Sequence, residues 1–186
     1  MLIKKLELQC DSDMMLSELN NLLIETPWPT KNQLGLKYRD GASNVWVDAV
    51  GSLYDRVNNV HIGREIDFTN WCVDQTYFVR QEVEKLEKAL NIKTGRVRFM
   101  KLPSKQGLTI HRDSEMRYHL VLKTNPNAHF GFRVSERTTD ESELPVNGYT
   151  YHVPKDNHWY VADTKELHWV FNGGMEDRIH LVVSEI

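Results

Sequence analysis

The sequence predicts a mainly β fold with a helical buttress, and three observations carry that expectation. From about residue 94 onward the apolar residues recur with a period of two. Turn-forming residues interrupt that stretch at short intervals, and the residues ahead of it carry helical spacing instead. Eight short strands preceded by helices suggest a closed or double-sheet β structure. A chain of 186 residues fits one domain, with 1–94 as helical and irregular support and 95–186 as the β core.

Taken in order, residues 2–8, "LIKKLEL", alternate weakly and read as an opening strand. Asp11 or Ser12 can cap a helix through "DMMLSELNNLLIE", where Met15, Leu16, Leu19, Leu22 and Leu23 recur at helical spacing. Pro27 and Pro29 end it. A polar stretch to about residue 60 carries no clear period. The clearest helix is "DQTYFVRQEVEKLEKALN", with Phe78, Val79, Val83, Leu86 and Leu90 on one stripe and Asn91 as its stop. The strand candidates are 96–102, 108–111, 117–123, 129–134, 149–153, 158–162, 167–171 and 178–186. Pro103, Asn125-Pro126-Asn127, Asn147-Gly148, Pro154 and Asn172-Gly173-Gly174 separate them. The segment "SERTTDESELPVN" is the longest polar break and reads as a solvated loop. The Gly-Gly pair predicts a tight final hairpin through "LHWVFNGGMEDRIHLVV".

The composition excludes several function classes. With 23 Lys and Arg against 26 Asp and Glu, the formal net charge is −3 and the cations are scattered, so no nucleic-acid partner is expected. No run of about 18 apolar residues and no secretory leader is readable, which places the chain in the cytoplasm with no membrane partner. Two cysteines, Cys10 and Cys72, read as reduced thiols.

The chemistry concentrates in "HRDSEMRYHLVL", residues 111–122. In an extended chain His111 and Asp113 share a face, and Arg112 points away. Two histidines and one carboxylate on one octahedral face hold divalent iron with open positions. The second histidine must come from His158, His168 or His180. His168 is favoured, because it precedes the Asn-Gly-Gly turn and the returning strand carries Arg178. A guanidinium in the apolar strand "RIHLVV" is costly unless it meets an anion. Arg117 and His119, also two apart, would face the same cavity and bind carboxylate oxygens.

The combination of "HRD", "RYHL", "DTKELHWVFNGG" and "DRIHLVV" resembles the iron(II)- and 2-oxoglutarate-dependent oxygenases, in the aspartyl/asparaginyl β-hydroxylase-like branch, over about residues 96–184. The resemblance implies a double-stranded β-helix of the jelly-roll or cupin type with eight core strands. It implies Fe(II) on His111, Asp113 and His168, and 2-oxoglutarate with its far carboxylate on Arg178 and its near end beside Arg117 and His119. Arg98 or Lys101 could assist at the far carboxylate. With O2, the cosubstrate would leave as succinate and carbon dioxide while a C–H bond is hydroxylated. The substrate it suggests is an Asp, Asn or Pro side chain, free or in a peptide or protein, handled by a monomer or homodimer.

Blander readings stand beside these. His111 and Asp113 could form a surface turn, His119 a core histidine, and Arg117 a surface charge paired with Glu115 or Asp113. His180 shares a face with Arg178 and could support it from behind, whereas His61, His129 and His152 carry no spacing argument. Trp159, Tyr160, Trp169 and Phe171 read as core. Two rival functions remain: a cupin-type metalloenzyme that does not use 2-oxoglutarate, and a non-catalytic β-barrel binding module.

Overall fold

The computed structural model describes residues 1–55, 57–133 and 148–186; the polar break at 135–147 lies outside them. In chain order the elements are β1 (Ile3–Gln9), α1 (Ser12–Glu25), β2 (Gln33–Gly35), β3 (Lys37–Tyr38), α2 (Val45–Asp48), β4 (Tyr54–Asp55), β5 (Val60–His61), β6 (Asn70–Trp71) and α3 (Phe78–Leu90). The β core follows as β7 (Thr94–Leu102), β8 (Gln106–His111), β9 (Arg117–Lys123), β10 (Ala128–Arg133), β11 (Gly148–Tyr151), β12 (His158–Ala162), β13 (Leu167–Asn172) and β14 (Arg178–Glu185).

Both long helices form where the periodicity places them, and their ends have identifiable causes. The Asp11 carboxylate accepts the Asp13 and Met14 N–H groups at 3.0 and 2.9 Å, capping α1. The helix expected from residue 74 begins only at Phe78, because Glu18 of α1 reaches across to accept the Phe78 and Val79 N–H groups at 2.7 Å each. It ends at Asn91 in the left-handed conformation, a conformation Asn tolerates better than most residues.

Two antiparallel sheets face each other. The larger runs β1-β12-β9-β14-β7-β2 and the smaller β11-β10-β13-β8. Chain passage from β7 to β8 to β9, and from β12 to β13 to β14, alternates between the sheets, which is the double-stranded β-helix expected. The N-terminal residues do more than support this core, since β1 and β2 extend the larger sheet at its two edges.

Alternation along β7, β9 and β14 feeds two interiors. Val97, Phe99, Leu120, Leu122, Leu181 and Val183 face outward and pack beneath Met15, Leu19, Val79, Val83 and Leu86 of the helices. Burying each such aliphatic or aromatic side chain contributes about 1.5–3 kcal/mol. Between the sheets, Leu102 and Val121 meet Phe130, Phe132 and Val170 and close one end of the sandwich.

Two expectations are corrected. The final hairpin does not form: β13 pairs with β10 and β8, whereas β14 pairs with β7 and β9 in the other sheet. The crossing is held by the fully buried Asn172, whose amide donates to the carbonyls of Leu102, Pro103 and Glu176 at 3.0, 3.1 and 2.8 Å. Arg178 therefore lies beside Leu102. Trp159 and Tyr160 are core, but Trp169 and Phe171 are not, because His168 and Val170 take the inward positions of β13. The Trp169 ring instead covers Gly131 on the outer face, where an added Cβ would lie 1.9 Å from it.

Candidate active site

Between the sheets lies a cavity of about 940 Å³. The smaller sheet contributes His111 and His168, which are register partners on β8 and β13 with ring centroids 4.3 Å apart. Asp113 follows β8 and is pinned by its own N–H, which donates to the Thr164 carbonyl at 2.8 Å. Its carboxylate sits 4.0 Å from His111 Nε2 and 3.6 Å from His168 Nε2.

The tautomers follow from the partners. His111 Nδ1 lies 2.7 Å from the Thr109 carbonyl and His168 Nδ1 lies 3.0 Å from the Glu166 carbonyl. A carbonyl only accepts, so both Nδ1 atoms carry the proton and both Nε2 lone pairs turn toward Asp113. The three donor atoms lie within 4.8 Å of one another. Two imidazoles and one carboxylate, oriented from behind and open toward a cavity, suit a divalent transition metal. Burial, reinforced by His111, holds His168 below the ordinary histidine range despite its backbone hydrogen bond, so it stays neutral as a ligand must. Burial opposes the Asp113 charge, but the Arg117 guanidinium outweighs it and holds its carboxyl below the usual carboxylate range.

The larger sheet lines the opposite wall. Arg117 Nε meets Asp113 Oδ2 at 2.5 Å, so its resident partner is the carboxylate of the triad. His119 is buried with both ring nitrogens lacking partners among the described residues, and burial followed by the Arg178 charge keeps it neutral. Arg178 is buried, 3.0 Å from His180 Nδ1 and over the Phe130 ring at 5.0 Å, with no carboxylate bound to it among the described residues. Burial pushes its guanidinium down to about 9, which leaves it a cation at neutral pH. All six expected residues line this one cavity. His180 backs Arg178 as its spacing suggested, whereas His158 is engaged at the start of β12 with Gln9 and Asp156.

Sequence reasoning missed the wall built by residues before 94. Glu65, in a short turn over Glu65–Asp67, enters the cavity and pairs with Arg96 at 2.6 Å, both nearly inaccessible. Gly95 permits this approach, since a Cβ there would lie 2.6 Å from the Glu65 carbonyl. The available signal was "RVRFM", in which Arg96 and Arg98 alternate with core residues on a buried strand.

Comparison with known proteins agrees with this architecture. The fold is similar to AviO1 from Streptomyces viridochromogenes Tue57, at 11% identity and TM-score 0.55 over 99% of this chain and 89% of that one. It is similar to a prolyl-4-hydroxylase from Pseudomonas putida, at 12% identity and TM-score 0.54 over 98% and 91%. An oxidoreductase of the 2OG-Fe(II) oxygenase family from Burkholderia pseudomallei matches more narrowly, at 13% identity and TM-score 0.43 over 56% of this chain and 50% of that one. No curated protein matches the chain. Residues 72–185, well over half of the chain, match the family model described as aspartyl/asparaginyl beta-hydroxylase, and the protein belongs to that family of hydroxylase enzymes.

Proposed function

We propose that this chain is an Fe(II)- and 2-oxoglutarate-dependent dioxygenase that hydroxylates an amino-acid side chain, Asp, Asn or Pro, free or within a peptide or protein. One observation carries the reading. The His111, Asp113 and His168 donors open onto the same cavity as Arg178, a buried cation with no carboxylate partner among the described residues. A diacid chelated at one end and paired at the other suits both features.

In this reading His111, Asp113 and His168 hold the iron. Arg178, steadied by His180, receives the far carboxylate of 2-oxoglutarate, and a buried guanidinium offers that carboxylate a two-pronged match. His119, neutral and without a partner among the described residues, donates a hydrogen bond to the cosubstrate, while Arg117 orients Asp113 and borders the near carboxylate. The apolar neighbours Phe130, Val170 and Val182 exclude water around these charges. When bound, iron with 2-oxoglutarate and dioxygen supplies the oxidising power to insert one oxygen atom into a C–H bond, with succinate and carbon dioxide released.

The test is a preparation reconstituted anaerobically with Fe(II) and ascorbate, given 2-oxoglutarate and a screen of amino acids and peptides, and then exposed to dioxygen. Succinate release that requires 2-oxoglutarate, coupled to a mass gain of one oxygen on a screened compound, is the expected result. Chelation should abolish it and Fe(II) restore it. Restoration by zinc, or oxidation without 2-oxoglutarate, would point to the cupin-type alternative.

A further inference from the structure

Four arginines of the larger sheet line the cavity: Arg96, Arg98, Arg117 and Arg178. Two have resident carboxylates. Arg96 presents Nε and Nη2 to one oxygen of Glu65 at 2.9 and 2.6 Å, and Arg117 meets Asp113. The reading above gives Arg178 its anion, the cosubstrate. Arg98 is left over.

Arg98 is 3% exposed and stands two residues from Arg96 on the same face of β7. Among the described residues only Nη1 has hydrogen-bond contacts, long ones to Gln33 Oε1 at 3.3 Å and the Ala49 carbonyl at 3.5 Å. Nε and Nη2, the same pair of atoms that Arg96 turns to Glu65, have no partner among the described residues. A guanidinium keeps its charge, and a buried charge without a counter-ion is expensive. The free fork has the shape of a carboxylate receptor.

The position separates this receptor from the cosubstrate end. Arg178 is the register partner of Leu102 and Val182 that of Arg98, so the backbones of the two arginines that lack a carboxylate among the described residues are offset by four residues along β7, about 13 Å at the usual rise per residue. At this backbone spacing we set Arg98 apart from the far-carboxylate end, where it could otherwise assist. After burial itself, the charges that act on Arg98 are those of Arg96, Arg117, Glu65 and Asp113.

We propose that Arg98 is a specificity-determining residue for the primary substrate, and that its free Nε/Nη2 fork receives a carboxylate of that substrate at the end of the cavity opposite Arg178. The inference rests on the 2-oxoglutarate reading for the occupancy of Arg178. It narrows the substrate to one that enters as an anion: a free amino acid through its α-carboxylate, or an acidic side chain in a peptide.

The test is calorimetric titration of the anaerobic Mn(II)-loaded protein, first with 2-oxoglutarate and then, at saturation, with L-aspartate, L-asparagine, L-proline, their α-carboxamides, and N-acetyl-aspartate and N-acetyl-asparagine methylamides. At least one carboxylate-bearing probe should bind the wild type, and loss of that carboxylate should weaken it tenfold or more. Arg98→Gln should weaken the same probe at least tenfold and erase the acid–amide difference, while leaving the 2-oxoglutarate constant within twofold. Arg98→Met, of similar volume and uncharged, should do the same and melt no lower than the wild type without ligand. A role in structure alone predicts a lower melting temperature and unchanged probe affinity.

A tenfold loss of 2-oxoglutarate affinity in Arg98→Gln would overturn the inference by moving Arg98 to the cosubstrate. So would equal binding of acids and amides, or binding of no probe by a wild type that binds 2-oxoglutarate. Failure of the first titration is a separate result, which sinks the cosubstrate reading and this inference with it.

Discussion

The two faces of the larger sheet are made by the same strands and do opposite things. Beneath the helices, β7, β9 and β14 present Val97, Phe99, Leu120, Leu122, Leu181 and Val183 to an apolar core. Toward the smaller sheet they present Arg96, Arg98, Arg117, His119, Arg178 and His180, most of them buried as deeply. In an ordinary half-exposed sheet the polar face meets water, which solvates it. Here both faces are largely covered by the protein. The polar face must therefore find its partners inside the protein or take them from a ligand.

That contrast is tested most severely at the metal donors. His168→Ala should reduce bound iron from stoichiometric to background and abolish turnover, with circular dichroism and melting temperature close to wild type. Retained stoichiometric iron would place the ligand elsewhere. On the helical face the effect reverses: Phe99→Ala should cost about 3–5 kcal/mol in urea unfolding, because it empties a fully buried site, yet the folded fraction should still bind iron.

Arg178→Ala addresses the cavity face again. Breaking one side of a buried guanidinium–carboxylate pair costs roughly 3–5 kcal/mol, so the 2-oxoglutarate constant should rise more than about 100-fold while the ligand-free protein loses no stability. Glu65→Gln separates the resident pairs from the empty ones. It leaves Arg96 uncompensated and should destabilise the ligand-free protein by a few kcal/mol, in which urea titration distinguishes it from Arg178→Ala. The smallest effect lies outside both interiors. Asp11→Ala removes the α1 cap and should cost about 1 kcal/mol, or roughly 2–4 °C in melting temperature for a chain of this size.

Much of this was legible along the chain, and for local reasons. A strand such as β9 or β12 shows itself because alternation follows from backbone geometry over a few residues. The α1 cap at Asp11 and the left-handed stop at Asn91 depend only on the chemistry of those side chains. His111 and Asp113 could be paired in advance because two residues of extended chain separate them. His180 could be placed beside Arg178 by the same rule, and the 3.0 Å contact agrees.

What the sequence by itself determined is therefore the two long helices with their ends, the strands of the β core and the facing of side chains within those strands, all consequences of sterics and hydrogen bonding at short range. Tertiary structure decided which sheet each strand joins. Asn172 gathers three carbonyls and sends β14 away from β13, although Asn-Gly-Gly looks locally like a hairpin turn. It also decided that Glu65 compensates Arg96 from 31 residues away while Arg98 receives no such partner among the described residues. No local pattern encodes that difference, because a buried charge is settled by whatever the fold brings within reach of it, and that is a property of the folded cavity.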